Sequence, residues 1–275
     1  MIVFPNCKIN LGLRILRKRN DGFHDLETVF YPLQIKDALE VIQTSDEEKT
    51  PFQFYQSGIT IDSTKENNLC FKAYQILKND FPEMSSLQMH LHKAIPIGAG
   101  LGGGSADGAF TLQLLNKKFD LALKKEQLID YALRLGSDCP FFIIDKPCFA
   151  TGRGEFLESI KLDLSGDKII LVIPNIHIST GWAFTQITPA LPNKSIKEII
   201  QQPVETWKKE LVNDFEEPVF KKHPEIKKIK EELYNKGAIY AAMSGSGSAV
   251  YGVFKKEMSI DLSFSSDHFV KELLC

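Results

Sequence analysis

The stretch from Pro96 to Phe110, PIGAGLGGGSADGAF, constrains this chain more than any other, because six of its fifteen residues are glycine. Packing gives no reason for such a run; backbone freedom does. Glycine admits positive φ and leaves amide N–H groups uncovered, so Gly98, Gly100, Gly102, Gly103 and Gly104 can curl into a concavity whose donors face an anion. Ser105 then opens an apolar-rich segment that reads as a helix. Unpaired amides and the positive end of the helix dipole meet there, which describes a phosphate cradle. An ordinary glycine-rich turn with no ligand is the plainer alternative.

Two familiar signatures fit this loop badly. Gly98, Gly100 and Gly103 satisfy G-x-G-x-x-G, the only support for a dinucleotide-dependent oxidoreductase. That pattern belongs after a buried parallel strand. Here LQMHLHKAIP precedes it, with Leu87, Met89 and Leu91 alternating against polar neighbours, as in a half-exposed strand of a mixed or antiparallel sheet. The P-loop also fails, since no Lys-Ser/Thr follows the glycines.

The rest of the chain reads as α+β. NCKINLGLRIL, from Asn6, alternates and predicts a strand with Cys7, Ile9, Leu11, Leu13 and Ile15 on one face and Lys8, Asn10, Gly12 and Arg14 on a polar one. A turn at Arg19 to Gly22 leads to strands over Leu26 to Leu33 and Ala38 to Gln43, then to the polar stretch Thr44 to Thr50. Helices are expected over 68–79, 105–116 and 124–135, the last stopped by Gly136. FFII, after the turn Ser137-Asp138-Cys139-Pro140, reads as an apolar strand, and CFATGRGEFLESI as a hairpin closing a first domain over 1–160. KIILVIP opens a second domain, 161–275. It continues with polar helical segments between Ser195 and Lys236, two β segments around MSGSGS and a final helical DHFVKELL.

Bulk properties exclude several function classes. A net charge of -2 leaves no footprint for wrapping nucleic acid. The five cysteines are odd in number and have no C-x-x-C spacing, which fits neither a disulfide framework nor a zinc site. With neither a membrane-length apolar run nor an export signal in view, a cytoplasmic protein is expected.

Three separated segments resemble, in order and spacing, the motifs of the GHMP kinases: Lys8 with Asn10, the loop PIGAGLGGGSADGA, and MSGSGSAVYG. The resemblance implies a two-domain fold, with an N-terminal ribosomal-protein-S5-like α/β domain on a mixed sheet, a C-terminal ferredoxin-like α+β domain, and the active site in the cleft between them. It also implies ATP and Mg2+ as cofactors. NDGFHDLETVF, LGSDCPFF, GRGE and NDFE are similar to one branch of that family. This likeness implies transfer of the ATP γ-phosphate to the 2-hydroxyl of 4-(cytidine 5'-diphospho)-2-C-methyl-D-erythritol in non-mevalonate isoprenoid synthesis. A homoserine or mevalonate type of kinase is the alternative, as is a non-catalytic nucleotide-binding regulator, which would be expected to lose Lys8 or Asp138. Small-molecule substrates, with no nucleic acid or membrane partner, and a monomer or weak homodimer complete the expectation.

Residue by residue, the resemblance makes Asp138 the base and Lys8 its charged partner; taken alone, they read as a turn residue and a strand lysine. ATP phosphates would meet Pro96, Gly98, Ala99, Gly100, Leu101, Gly102, Gly103, Gly104 and Ser105, with Ser105 also a ligand for Mg2+. Asp107, in the first helical turn, is open between capping and metal roles. Asn68, Leu69 and Lys93 would approach adenine. Phe23, where the family has tyrosine, and Phe184 would clamp the cytosine, with His24 on its edge and Asn10 and Thr180 at hydroxyl and phosphate. Gly245, Ser246 and Gly247 form a second turn beside the first loop. Gly108 replaces a family alanine inside a helix, and Arg153 has no assigned role.

Overall fold

Alternation and glycine placement set the strands, and the computed structural model describes residues 1–44, 52–60 and 64–275. The polar stretch beyond Thr44 lies outside the described residues. The described strands are β1 (Ile2–Val3), β2 (Asn6–Lys18), β3 (His24–Lys36), β4 (Ala38–Gln43), β5 (Phe52–Gly58), β6 (Leu87–Lys93), β7 (Cys148–Thr151), β8 (Phe156–Ser159), β9 (Asp167–Ile173), β10 (Tyr240–Met243), β11 (Val250–Lys255) and β12 (Phe269–Leu274). The α-helices are α1 (Leu69–Asp80), α2 (Gly103–Lys118), α3 (Lys125–Leu135), α4 (Cys139–Ile144), α5 (Thr180–Thr185), α6 (Ile196–Ile199), α7 (Val204–Glu210), α8 (Glu216–Lys222) and α9 (Pro224–Asn235).

The chain packs as two units that interleave in sequence. One comprises Met1–Cys7, Gln34–Ile97 and Gly102–Asp145; the other comprises Lys8–Leu33, Gly98–Leu101 and Lys146–Cys275. In the first, the sheet order is β1-β4-β6-β5, with β6 antiparallel to β4 and parallel to β5. This is the mixed sheet that the alternation of Leu87, Met89 and Leu91 predicts; all three are buried. A dinucleotide fold is thereby excluded, since its fingerprint follows a strand of a parallel sheet. Helices α1, α3 and α4 pack around α2.

Gly108 explains itself here. A Cβ at that position would lie 2.9 Å from Leu69 Cβ and 3.3 Å from Leu135 Cδ1. The glycine costs roughly 1 kcal/mol of helix propensity but lets α1 close on α2.

The second unit holds two sheets, β2-β3-β7-β8 and the antiparallel β10-β11-β9-β12. Its core gathers Leu13, Ile15, Ile170, Val172, Phe215 and Phe254. Ile226, Ile229 and Leu233, on one face of α9, pack into it.

Three expectations are corrected. Strand β2 has no solvated polar face, because Asn6 to Leu13 are all buried. The polar members of this segment bond one another and β3, as Asn10 Nδ2 does by donating to Thr28 Oγ1 at 3.0 Å. FFII is helix α4, started by Pro140 near its N-terminus. Proline is preorganised there and gives up an amide that would go unpaired anyway. FVKELL is an antiparallel strand on β9, from Phe269 opposite Ile173 to Leu274 opposite Lys168. The spacing of Phe269, Val270, Leu273 and Leu274 suits one helical face equally well, and the buried edge of β9 decides between them.

Candidate active site

Glycine is required at two points of the loop that joins β6 to α2. Gly100 has φ +81°, and a Cβ there would come within 2.1 Å of the Ser244 carbonyl oxygen. Backbone therefore lies directly against backbone. Gly102, the N-cap of α2, has φ +70° and puts the chain in the left-handed region before the helix begins. No side chain caps α2, and a Cβ at Gly104 would meet nothing within 4 Å. The Gly104 α-carbon thus faces open space in the first turn of α2, where uncapped amides and the helix dipole favour an anion.

Within the second unit, Lys8 lies at the centre of a connected set. Its Nζ donates to Asn10 Oδ1 at 2.7 Å and to the Gly100 carbonyl at 3.2 Å, and sits 4.9 Å from the centroid of the Phe30 ring. Lys8 is only 4% exposed, so the solvated-lysine reading fails. Asn10 is buried as well; its side chain orients the ammonium. Ser244 Oγ donates to the Gly100 carbonyl at 2.9 Å and accepts from the Asn10 amide at 3.1 Å.

The second glycine turn closes on the same place. A Cβ at Gly245 would lie 3.3 Å from Gly100 Cα and 3.4 Å from Asn10 Oδ1. Ala249 donates its amide to the Ala99 carbonyl at 3.1 Å. Ser246 Oγ is 2.9 Å from Thr180 Oγ1 at the start of α5, while a Cβ on Gly247 would strike Met243 Sδ at 2.7 Å. Sequence reasoning marked NDFE without giving its residues a role. Asn213 Nδ2 donates to both the Met243 and Gly245 carbonyls at 2.8 Å. Asp214 accepts from the Ile15 amide and Glu216 from the Met243 amide, each at 2.8 Å. Asn213 and Ser244 are the supporting residues that the sequence reading missed.

In the first unit, Asp138 occupies the N-cap position of α4 but its side chain makes no cap bond. It is half-buried. The adjacent Cys139 thiol is pushed up to about 12 by burial, against the effect of a hydrogen bond from the Ser105 side chain, so it is no nucleophile. Asn68 caps α1, accepting from the Cys70 amide at 2.9 Å, and Leu69 supports Gly108.

Lys93, expected beside adenine, is buried between two carboxylates. Its ammonium is enclosed by Asp37 and by Asp107, the latter at 2.7 Å. Burial lowers its pKa, but the charges of Asp107 and Asp37 outweigh that and raise it. Burial drives the Asp107 carboxyl up to about 7, with Lys93 opposing. Asp107 therefore neither caps α2 nor reaches outward as a metal ligand.

Around the expected cytosine pocket, the ring stacked on Phe184 is that of His24, at 4.8 Å and 17°. Phe184 also meets the edge of Phe215 at 5.0 Å. Phe23 is 52% exposed, and the Arg153 guanidinium lies 4.8 Å over its ring. Arg153, which had no role in the sequence, thus lies against Phe23, while His24 is the ring stacked on Phe184. Burial, then the charge of Lys18, lowers the His24 pKa. Among the described residues there is no group of three or more His, Cys, Asp or Glu able to hold a metal, and no helix is long and apolar enough to cross a membrane.

Comparison with known proteins agrees with this geometry. Residues 68–146 match the family model "GHMP kinases N terminal domain" and residues 195–262 match "GHMP kinases C terminal". A 4-diphosphocytidyl-2-C-methyl-D-erythritol kinase of Bacteroides fragilis is 53% identical over 260 residues, covering 94% of each chain. One from Parabacteroides distasonis is 49% identical and covers 99% of this chain and 98% of its own. A crystal structure of 4-(cytidine 5'-diphospho)-2C-methyl-D-erythritol kinase superposes with TM-score 0.78 at 29% identity, covering 92% of this chain and 89% of that one. A mevalonate kinase at 13% identity, with TM-score 0.65, shares the fold. The chain belongs to the GHMP kinases, and within them to the family of the 4-diphosphocytidyl-2-C-methyl-D-erythritol kinases.

Proposed function

We propose that this chain transfers the γ-phosphate of ATP to the 2-hydroxyl of 4-(cytidine 5'-diphospho)-2-C-methyl-D-erythritol, with Asp138 as general base and Lys8 as its charged partner. The observation that carries this reading is the near full-length identity of about half to relatives of that name. The bond formed joins the substrate oxygen to the γ-phosphorus, the bond broken is the one to the ADP oxygen, and the hydroxyl proton passes to Asp138. Such a transfer needs positioning and charge neutralisation more than covalent help. Lys8, its ammonium held by Asn10, supplies positive charge; the first-turn amides of α2 supply aligned dipoles.

ATP phosphates lie along Gly98 to Ser105 in this reading, with Asn68 and Leu69 near adenine. Gly245, Ser246 and Gly247 support that loop. Mg2+ fits as a companion of the triphosphate with the Ser105 hydroxyl as the chain's own ligand, since Mg2+ is usually bound through substrate phosphates and keeps several waters. When bound it would neutralise phosphate charge. Phe23, His24, Phe184 and Arg153 take the cytosine end, and Thr180 with Ser246 the diphosphate. We take 1–160 as the ATP-binding portion and 161–275 as the C-terminal one, in a cytoplasmic monomer or weak homodimer. Incubation with ATP and the cytidine substrate, followed by phosphorus NMR, is expected to yield ADP and a new phosphomonoester resonance. ADP formation with no such resonance contradicts the reading.

A further inference from the structure

Asp37, Lys93 and Asp107 meet far from one another in sequence, with side chains 0%, 2% and 4% exposed. Asp37 Oδ1 accepts from the Ala94 amide at 2.6 Å and the Ile95 amide at 2.8 Å, the first residues after β6. Its other oxygen takes Lys93 Nζ, which also donates to Asp107 Oδ2 at 2.7 Å. Asp107 lies in α2, and its Oδ1 is buried with no hydrogen-bond partner. A Cβ on Gly103, the first residue of α2, would lie 3.0 Å from Lys93 Nζ and 3.0 Å from Ile95 Cγ2. The helix therefore starts directly over the cluster.

Two carboxylates against one ammonium is a poor way to add stability. Well-packed apolar side chains of similar volume usually do as well as a buried ion pair or better, and an oxygen left without a partner costs more. What the cluster does supply is direction. It fixes the two amides where the chain leaves β6, and through Lys93 it ties them to the opening turns of α2.

We propose that Asp37, Lys93 and Asp107 are positioning residues that hold the start of the glycine loop against α2 and so set the affinity for ATP. This rests on the reading of the loop and the α2 N-terminus as the phosphate site. A displacement of about 1 Å at such a site is worth up to about 100-fold in rate. The cluster bonds backbone at the start of the loop and side chains below α2, so its loss is expected to act on the nucleotide.

The test uses the full chain. Asp107→Leu removes the partnerless oxygen and leaves Lys93 paired one-to-one with Asp37, so the amide clamp survives while the tie to α2 is cut. It is expected to fold and to raise the KM for ATP about ten-fold or more, with the KM for the cytidine substrate unchanged within about two-fold. Asp107→Asn keeps an acceptor for Lys93 and is expected to recover the ATP KM to within about three-fold. Should Asp107→Leu fail to fold, the triple variant Asp37→Asn, Lys93→Met, Asp107→Leu, which leaves no buried charge unpaired, decides by the same KM split. A folded variant of either kind with wild-type KM for ATP overturns the proposal. Gly104→Asp separates it from the reading beneath it. The site is open, and the added carboxylate stands where phosphate would bind. Loss of ATP binding in Gly104→Asp, beside a wild-type Asp107→Leu, sinks the cluster's role alone; wild-type ATP binding in Gly104→Asp sinks the loop reading itself.

Discussion

The α-carbon of Gly100 faces the carbonyl oxygen of Ser244 so closely that a methyl group there would stand 2.1 Å from it. Two glycine turns 144 residues apart in sequence are thereby one structure, with Ser244 Oγ donating to the Gly100 carbonyl. Gly100→Ala is expected to destabilise the chain by about 2 kcal/mol or more, through positive φ and contact with backbone that cannot move aside. Gly104→Ala meets open space and is expected to keep full stability while weakening ATP binding. Urea titrations of both, with nucleotide binding on the folded one, check the contrast.

Lys8 and Asp138 separate chemistry from folding. Asp138→Asn keeps the size of the side chain and a polar oxygen, so it is expected to fold while lowering kcat by about 10²- to 10⁴-fold. Lys8→Met, chosen because the side chain is buried, is expected to lower kcat similarly with ATP still bound. Steady-state kinetics with calorimetric ATP titration measures both. Turnover near wild type in Asp138→Asn removes it as base.

Asn213 satisfies two carbonyls of the second glycine turn at once. Asn213→Asp replaces those donors with acceptors and is expected to cost at least about 2 kcal/mol, since buried polar groups left unpaired cost about 1 to 3 kcal/mol each. Denaturant unfolding gives the number, and a neutral result would show that the turn holds itself.

His24 carries a pH dependence. Burial and Lys18 hold its pKa below the ordinary 6.5 in the folded chain. Its contribution to stability is therefore full above about 6.5 and is lost as pH falls through the lower folded value. His24→Phe keeps a ring against Phe184 without a titrating nitrogen. The stability difference between wild type and His24→Phe is expected to shift against wild type as pH drops below 6.5; parallel curves across that range contradict the burial argument.

Local chemistry made much of this legible. The helix after the glycine loop, the alternation before the loop and the helix expected over 68–79 all depend on neighbours in sequence, and α2, β6 and α1 are there. The apolar run FFII was less legible, because four apolar residues suit a strand or a short helix; Pro140 was the signal that pointed to helix. FVKELL reads as helix from its own spacing because its partner is β9, about 100 residues earlier, and sheet pairing overrides a pattern compatible with both periods. The same limit hid the cluster around Lys93. Asp37 is 56 residues before Lys93, and nothing beside it in the sequence marks it as the residue that fixes the loop. NDFE was visible as a motif, yet its work is to pin backbone groups, which no side-chain pattern announces.

The most direct measurement is ADP release by the wild-type chain with ATP and Mg2+, compared across acceptors. The account predicts strong stimulation by 4-(cytidine 5'-diphospho)-2-C-methyl-D-erythritol, none by homoserine or mevalonate, and loss of the stimulation in Asp138→Asn. Stimulation by homoserine or mevalonate in place of the cytidine compound would contradict it.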